Sequence, residues 1–67
     1  MFNTQENGRR LRELRGDTRI EAVAAAVNIS VSSLAMYESG QRNPRDEVKI
    51  ALADYYNTTV GDIFFIQ

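Results

Sequence analysis

The clearest hydrophobic pattern lies in residues 20–39, where apolar positions recur at the spacing of two short helices. Val23 and Val27 are one turn apart in the first predicted helix. Leu34 and Tyr37 share one face of the second. These are positions at which two steeply crossing helices touch, so the pattern predicts a packed pair joined by a short turn.

The residues between the two predicted helices suit a tight turn. Asn28 occupies the position that requires positive φ, which Asn tolerates best after Gly. Ser30 supplies a side-chain oxygen for the free amides at the start of the second helix. Ala24 is small enough to let that helix approach. The segment therefore predicts a helix-turn-helix, a motif whose second helix can enter the major groove of DNA.

The outer face of the second helix carries no charge, whereas a solvated helix face is normally rich in Lys and Glu. Its members are Val31, Ser32, Ser33 and Met36. Hydroxyl groups pair with base edges or phosphates, and the methyl groups of Val31 and Met36 suit the C5-methyl group of thymine. An ordinary polar face with one Met is the alternative. The spacing of the motif favours DNA.

A first helix is predicted from Thr4 to Arg15, with Leu11 and Leu14 forming its buried stripe. Gly8 lies one turn before Leu11 and allows a neighbouring backbone or ring to approach closely. The helix ends at a Gly-Asp turn. Either Asp17 or Thr18 is expected to cap helix 2, which then runs to about residue 27.

Two more helices are predicted after the motif. Helix 4 runs from about Pro44 to Tyr56, with Pro44 near its first position. Its buried positions follow an i, i+4, i+8 spacing at Val48, Leu52 and Tyr56. Asn57 is a left-handed stop, and Thr59 caps helix 5. Helix 5 turns three apolar residues inward, namely Val60, Ile63 and Phe64.

The loop before helix 4 is rich in groups that donate to phosphate oxygens. They are Gln41, Arg42, Asn43 and Arg45. An ordinary polar loop is the alternative, but two Arg side chains directly after the motif favour contact with a DNA backbone. Asp46 and Glu47 suit the N-terminus of helix 4, although they would repel a phosphate placed there.

Apolar residues outside the predicted core suggest association between chains. Ile50 falls away from the buried stripe of helix 4, and the tail, residues 65–67, is apolar where termini are usually polar. The tail either contacts a second copy, as a dimer contact or a short strand, or folds over its own core. Ile50, Phe65 and Ile66 are therefore the candidate dimer residues.

The 67 residues are enough for one domain, residues 1–67, and too few for a second core. The absence of Cys and His removes disulfides, thiolate metal sites and the usual general base, so we expect no enzyme, metal or cofactor. No feature indicates a small-molecule ligand. No apolar run is long enough for a membrane span, and the start lacks the hydrophobic region of a signal peptide, so we expect a cytoplasmic protein.

Charge is distributed unevenly along the chain. The net charge of −1 argues mildly against nucleic acid as a partner. However, residues 1–45 contain seven Arg and five acidic residues, a balance of +2, whereas residues 46–67 contain one Lys and four acidic residues, a balance of −3. Arg supplies every basic group of the first portion, which suits phosphate recognition.

The chain resembles the Cro/repressor-type helix-turn-helix family, also called the XRE family. The similarity covers residues 8–65, and its most specific segments are VAAAVNISVSSL, YESGQRNP and VGDIF. The resemblance implies an all-α, five-helix, lambda-repressor-like domain that binds operator DNA, usually as a dimer, and controls transcription.

The resemblance also implies roles for individual residues. Val31, Ser32 and Met36 would contact bases, while Ser33 and the loop 41–45 would hold the backbone. Glu38 would pair with an Arg of helix 1, for which Arg15 is the best placed. An unpaired carboxylate beneath the second helix of the motif would be costly, which supports this structural pair.

Two features depart from the family pattern. The link between helices 1 and 2 is shorter than in the commonest members. The Gln often found at the start of helix 2, which contacts phosphate, is replaced by Ile20, and Arg19 is a possible substitute.

The favoured function is a small Cro-like repressor that binds a palindromic operator as a homodimer, with half-sites about one DNA turn apart. A protein-interaction module, such as an antitoxin or a partner of another regulator, is the alternative. The near-neutral charge of the chain supports that alternative.

Overall fold

The computed structural model describes residues 4–64, and within that range it contains five α-helices and no strand. The helices are α1 Thr4–Arg15, α2 Ile20–Ala26, α3 Val31–Glu38, α4 Asp46–Tyr55 and α5 Val60–Ile63. The predicted all-α class and the order of the helices are confirmed, and α1 has the predicted bounds.

The turn between α2 and α3 has the predicted local structure. The two helices are inclined by 109° to each other. Asn28 has φ 61°, and the Ile29 amide donates to the Ala24 carbonyl over 2.9 Å. The Ser30 side chain accepts a hydrogen bond from the Ser33 amide over 3.0 Å and so caps α3.

Each helix contributes one or two apolar side chains to the core. Its buried members are Leu11, Val23, Ala24, Val27, Leu34, Leu52, Ala53, Ile63 and Phe64. Tyr37 and Val48 are half-buried and pack against this cluster. The core therefore lies beneath both helices of the helix-turn-helix and fixes the direction of α3.

Helix α1 supports α3 from behind at very short range. A Cβ atom added at Gly8 would overlap the Glu38 carbonyl and lie 2.7 Å from the Tyr37 carbonyl oxygen. The predicted close approach at this glycine is confirmed. Helix α1 also holds the end of the fold, because Arg10 donates to the Ile63 carbonyl over 3.0 Å.

The prediction that Leu14 is buried was wrong, since this side chain is 41% exposed. The inner stripe of α1 follows positions four residues apart, Asn7, Leu11 and Arg15. Leu14 lies one position outside that stripe, and Arg15 occupies the inner site because it pairs with α3.

The predicted starts of two helices need correction. The N-cap of α2 is Arg19, which makes no side-chain capping bond, so neither Asp17 nor Thr18 caps this helix. Helix α4 begins at Asp46 rather than near Pro44. Its N-cap, Arg45, is extended with ψ 165°, so the helix cannot begin earlier.

The C-terminal helices follow the predicted pattern with small differences. Helix α4 ends at Tyr55, one residue early, and Asn57 has the predicted left-handed conformation with φ 58°. The Thr59 side chain caps α5 by accepting from the Asp62 amide. Three residues of this segment were predicted to face inward. Ile63 and Phe64 are buried, and Val60 is half-buried.

Among the described residues, no single helix has the length and apolar character of a membrane span. Helices α2 and α3 meet those criteria of length and composition only when joined across their bend.

Candidate nucleic-acid interface

The outward side of α3 is exposed at its first turn and uncharged. Val31 is 41% exposed, and Ser32 is exposed beside it. Met36 lies one turn further along and is half-buried, with Leu34 fully buried on the opposite side. The three predicted base-contacting residues therefore lie on a helix that is anchored from behind and open at its N-terminal end.

Ser33 is half-buried, and its hydroxyl is held within the cap of α3. The Ser30 hydroxyl lies 2.9 Å from the Ser33 hydroxyl and donates to it, while also accepting the Ser33 amide. This arrangement fixes both hydroxyl groups at the helix start. They face a cleft rather than the outermost edge of α3.

The arginines divide into two groups by their partners. Arg9, Arg10 and Arg15 form ion pairs with carboxylates. The remaining four form none within residues 4–64, and they are Arg12, Arg19, Arg42 and Arg45. All four are exposed. Three of them flank the helix-turn-helix, at the start of α2 and in the loop after α3.

A cleft of about 460 Å³ separates the turn of the helix-turn-helix from the start of α4. Its apolar wall includes Ile29, Val48 and Ala51, and its polar wall includes Asn28, Ser30, Ser33, Arg42, Arg45 and Glu47. The structure thus brings both loop arginines next to the α3 cap. Gln41 and Asn43 are exposed in the same loop but do not line the cleft.

Arg15 and Glu38 form a two-bond ion pair behind α3. The Arg15 Nε lies 2.8 Å from Oε2 of Glu38, and Nη2 lies 3.0 Å from Oε1. Glu38 is only 4% exposed. The hydrogen bond that Arg15 donates to Glu38 raises the pKa of Arg15 above its usual range. Arg15 also donates to the Thr18 carbonyl over 2.9 Å, so the same side chain holds the short link before α2.

Two buried polar atoms have no hydrogen-bond partner among the described residues, namely Asn7 Nδ2 and the Tyr56 hydroxyl. Burial, followed by the negative charge of Glu38, raises the pKa of Tyr56 to about 12. The sequence pattern identified Tyr56 as a core residue. It gave no signal that the hydroxyl would lie close to an ion pair.

The candidate association residues are only partly within the described range. Ile50 is 61% exposed on α4, the largest exposure among the large hydrophobic side chains of residues 4–64. Phe65 and Ile66 lie outside the described residues.

Residues 9–63 match the family model described as helix-turn-helix. The chain belongs to this family, in its XRE-type branch, and has the helix-turn-helix DNA-binding fold of transcriptional regulators. The family and the fold are those of DNA-binding regulators rather than enzymes.

The chain is similar to known regulators from several bacteria. It is 43% identical over 56 residues to the HTH-type transcriptional regulator DdrOP3 of Deinococcus deserti, an alignment that covers 81% of this chain but only 43% of that protein. The restriction-modification controller protein C.AhdI of Aeromonas hydrophila superimposes with a TM-score of 0.83 and 28% identity, covering 91% of this chain and 96% of C.AhdI.

A second structural match concerns the fold alone. The clp gene regulator ClgR of Corynebacterium glutamicum has a TM-score of 0.81 at 22% identity, over 90% of this chain and 66% of that one.

Proposed function

We propose that this chain is a sequence-specific DNA-binding regulator of transcription, acting as one domain over residues 1–67. Helix α3 enters the major groove, and Val31, Ser32 and Met36 contact base edges. The observation that carries this proposal is the uncharged, exposed start of α3 flanked by arginines without carboxylate partners.

The flanking groups hold the DNA backbone in this proposal. Arg19 approaches phosphates at the start of α2, and Arg42 and Arg45 approach them after α3. The uncharged donors of the backbone set are Ser33, Gln41 and Asn43. Because the acidic residues of α4 lower the net charge, we expect a weaker salt dependence than for a strongly basic domain.

Two copies act together on a palindromic operator. One α3 contacts only a few base pairs, so useful specificity needs a second helix about one DNA turn away. Ile50, Phe65 and Ile66 are the proposed contacts between copies, supported by the exposure of Ile50. Bound across a promoter, the homodimer excludes RNA polymerase and represses transcription, as a Cro-like repressor does.

Selection of bound fragments from random double-stranded DNA tests this proposal. We expect a palindromic consensus with half-sites about one helical turn apart. A non-palindromic consensus would reject the symmetric dimer and keep base recognition. Failure to enrich any sequence would reject the base-contacting role of α3.

A second candidate is a protein-interaction module, such as an antitoxin or a partner of another regulator. The net charge of −1 and the exposed Ile50 favour it. A gel shift with random genomic fragments at low salt separates the two candidates. Binding that weakens as salt is added supports the regulator, whereas no binding at low salt supports the interaction module.

A further inference from the structure

The cleft between the helix-turn-helix and α4 contains two polar residues that have no part in the proposed DNA contacts, Asn28 and Glu47. They line the same cleft as Arg42 and Arg45, whose guanidinium groups have no carboxylate partner within residues 4–64. A cleft with two unpaired cations suits an anionic group of the DNA backbone. Its apolar wall suits the sugar that joins one phosphate to the next.

Asn28 serves the turn through its backbone, so its side chain is free for another role. Its φ of 61° meets the conformational need of the turn, and the residue is exposed. The side-chain amide makes no hydrogen bond to another described residue. An amide group is a donor to phosphate oxygens, and a donor without an internal partner breaks no hydrogen bond within the protein when it binds one.

Glu47 has the opposite effect in the same cleft. Its side chain is exposed and forms no ion pair within residues 4–64. A carboxylate that lines a cleft beside two arginines repels a phosphate that enters it. Because the repulsion depends on charge alone, it lowers the affinity for every DNA sequence.

We propose that one phosphate of the DNA backbone lies in this cleft, where Asn28 donates a hydrogen bond to it and Glu47 limits how tightly any duplex is held. This inference rests on the DNA binding proposed above. It adds two residues to the interface, one that raises affinity and one that lowers it.

The Asn28 contact is tested by comparing Asn28→Gly with Asn57→Gly. Both residues are exposed, follow a helix and have nearly the same φ, 61° and 58°, which Gly adopts without strain. Only Asn28 lines the cleft. By fluorescence anisotropy with a labelled random-sequence duplex, we expect Asn28→Gly to lower affinity about fivefold and Asn57→Gly to leave it unchanged.

The Glu47 effect is tested by comparing Glu47→Gln with Asp46→Asn. Both variants remove one negative charge from the first turn of α4, but Asp46 lies outside the cleft and is 4.0 Å from Lys49. With the same duplex, we expect Glu47→Gln to raise affinity about threefold. Asp46→Asn should raise it by less than half that factor.

The outcomes distinguish failure of the cleft contact from failure of the proposed DNA binding. If the parent protein binds no duplex at low salt, DNA binding itself is rejected. If the parent binds but each cleft variant equals its control, the cleft contact is rejected while DNA binding stands. Thermal unfolding checks that Asn28→Gly and Asn57→Gly have the same effect on stability. Equal melting temperatures with unequal DNA affinities support the contact between Asn28 and the phosphate.

Discussion

Among the described residues, charged groups are paired on the inner side of α3 and unpaired around its outer side. On the inner side, Glu38 is buried and both carboxylate oxygens are bonded to Arg15. On the outer side, the first turn has no charge, and the neighbouring Arg42 and Arg45 have no carboxylate partner within residues 4–64. Charge on the inner side is neutralised within the chain, whereas charge around the outer side remains available to a ligand.

The comparison teaches that substitutions on the two sides should have different consequences. A buried charge without a partner is costly, so the inner side contributes mainly to stability. An exposed cation costs little when unpaired, so the outer side contributes mainly to binding. Measuring both unfolding and DNA affinity for the same variants tests whether the inner side affects stability and the outer side affects binding.

The largest effect is expected from Gly8→Ala on the inner side. The new methyl group would overlap the backbone carbonyls of Tyr37 and Glu38, which cannot move without displacing α3. We expect a loss of about 3 kcal/mol in unfolding free energy and a melting temperature lower by roughly 15 °C. Gly61→Ala is the control, since its nearest neighbour would be 4.0 Å away. Similar melting temperatures for the two variants would contradict the close contact.

The second largest effect is expected from Glu38→Ala. We expect the free energy of unfolding to fall by about 2 to 3 kcal/mol, because the partly buried Arg15 guanidinium loses its carboxylate partner. Glu13→Ala is the matched control, since Glu13 also pairs with an arginine, Arg9, but its side chain is 63% exposed. We expect that control to lose less than about 0.5 kcal/mol. Chemical denaturation measures both, and equal losses would remove the structural role of the inner pair.

On the outer side, Ser32→Glu should lower affinity for the selected DNA about 100-fold, because it places a carboxylate against base edges and phosphates. Ser32 is exposed, so the helical circular dichroism spectrum should not change. Ser32→Ala, which removes only the hydroxyl, should cost less than about tenfold. Retained affinity in Ser32→Glu would exclude Ser32 from the interface.

Alkaline pH tests the inner side in a different way. Burial raises the pKa of Tyr56 from 10.0 to about 12, so between those values the unfolded chain loses this proton while the folded chain keeps it. Stability from this group is complete below pH 10 and is lost progressively as pH rises toward 12. Denaturation at several pH values should show the loss in the parent.

Tyr56→Phe should reduce that loss, while Tyr55→Phe, at an exposed ring, should retain it. An unchanged alkaline transition in Tyr56→Phe would assign the effect to other groups.

The smallest effects are expected from Arg42→Ala and Arg45→Ala. Each should weaken binding about fivefold, to all sequences alike, and reduce the slope of log affinity against log salt by about one. Arg12→Ala is the control, because Arg12 is also exposed and unpaired but belongs to α1. A sequence-dependent loss in either loop variant would show that its arginine contacts bases.

Much of the fold followed from local patterns in the sequence. The bounds of α1, the left-handed Asn28 and Asn57, and the caps at Ser30 and Thr59 depend on neighbouring residues, and each was predicted. The errors at the starts of α2 and α4 are local, whereas the error at Leu14 lies where a tertiary contact overrides local preference. Leu14 is exposed because the inner position of α1 is taken by a charged residue that pairs across to α3.

The site was predictable in its parts but not in its assembly. The sequence identified the arginines of the 41–45 loop, but it did not show that they share a cleft with Asn28 and Glu47. That cleft joins residues from the turn, α3, the loop and α4, which no periodicity relates. Likewise, Tyr56 follows α4 but is influenced by the charges of Glu38 and Arg15, which are distant in the sequence.

The contact at Gly8 also bears on how fast the protein engages its target. Because the Gly8 backbone packs directly against the carbonyls of Tyr37 and Glu38, we expect α1 and α3 to move as one body. We therefore expect no rearrangement between these two helices on docking, so this pair adds no slow conformational step to association with DNA.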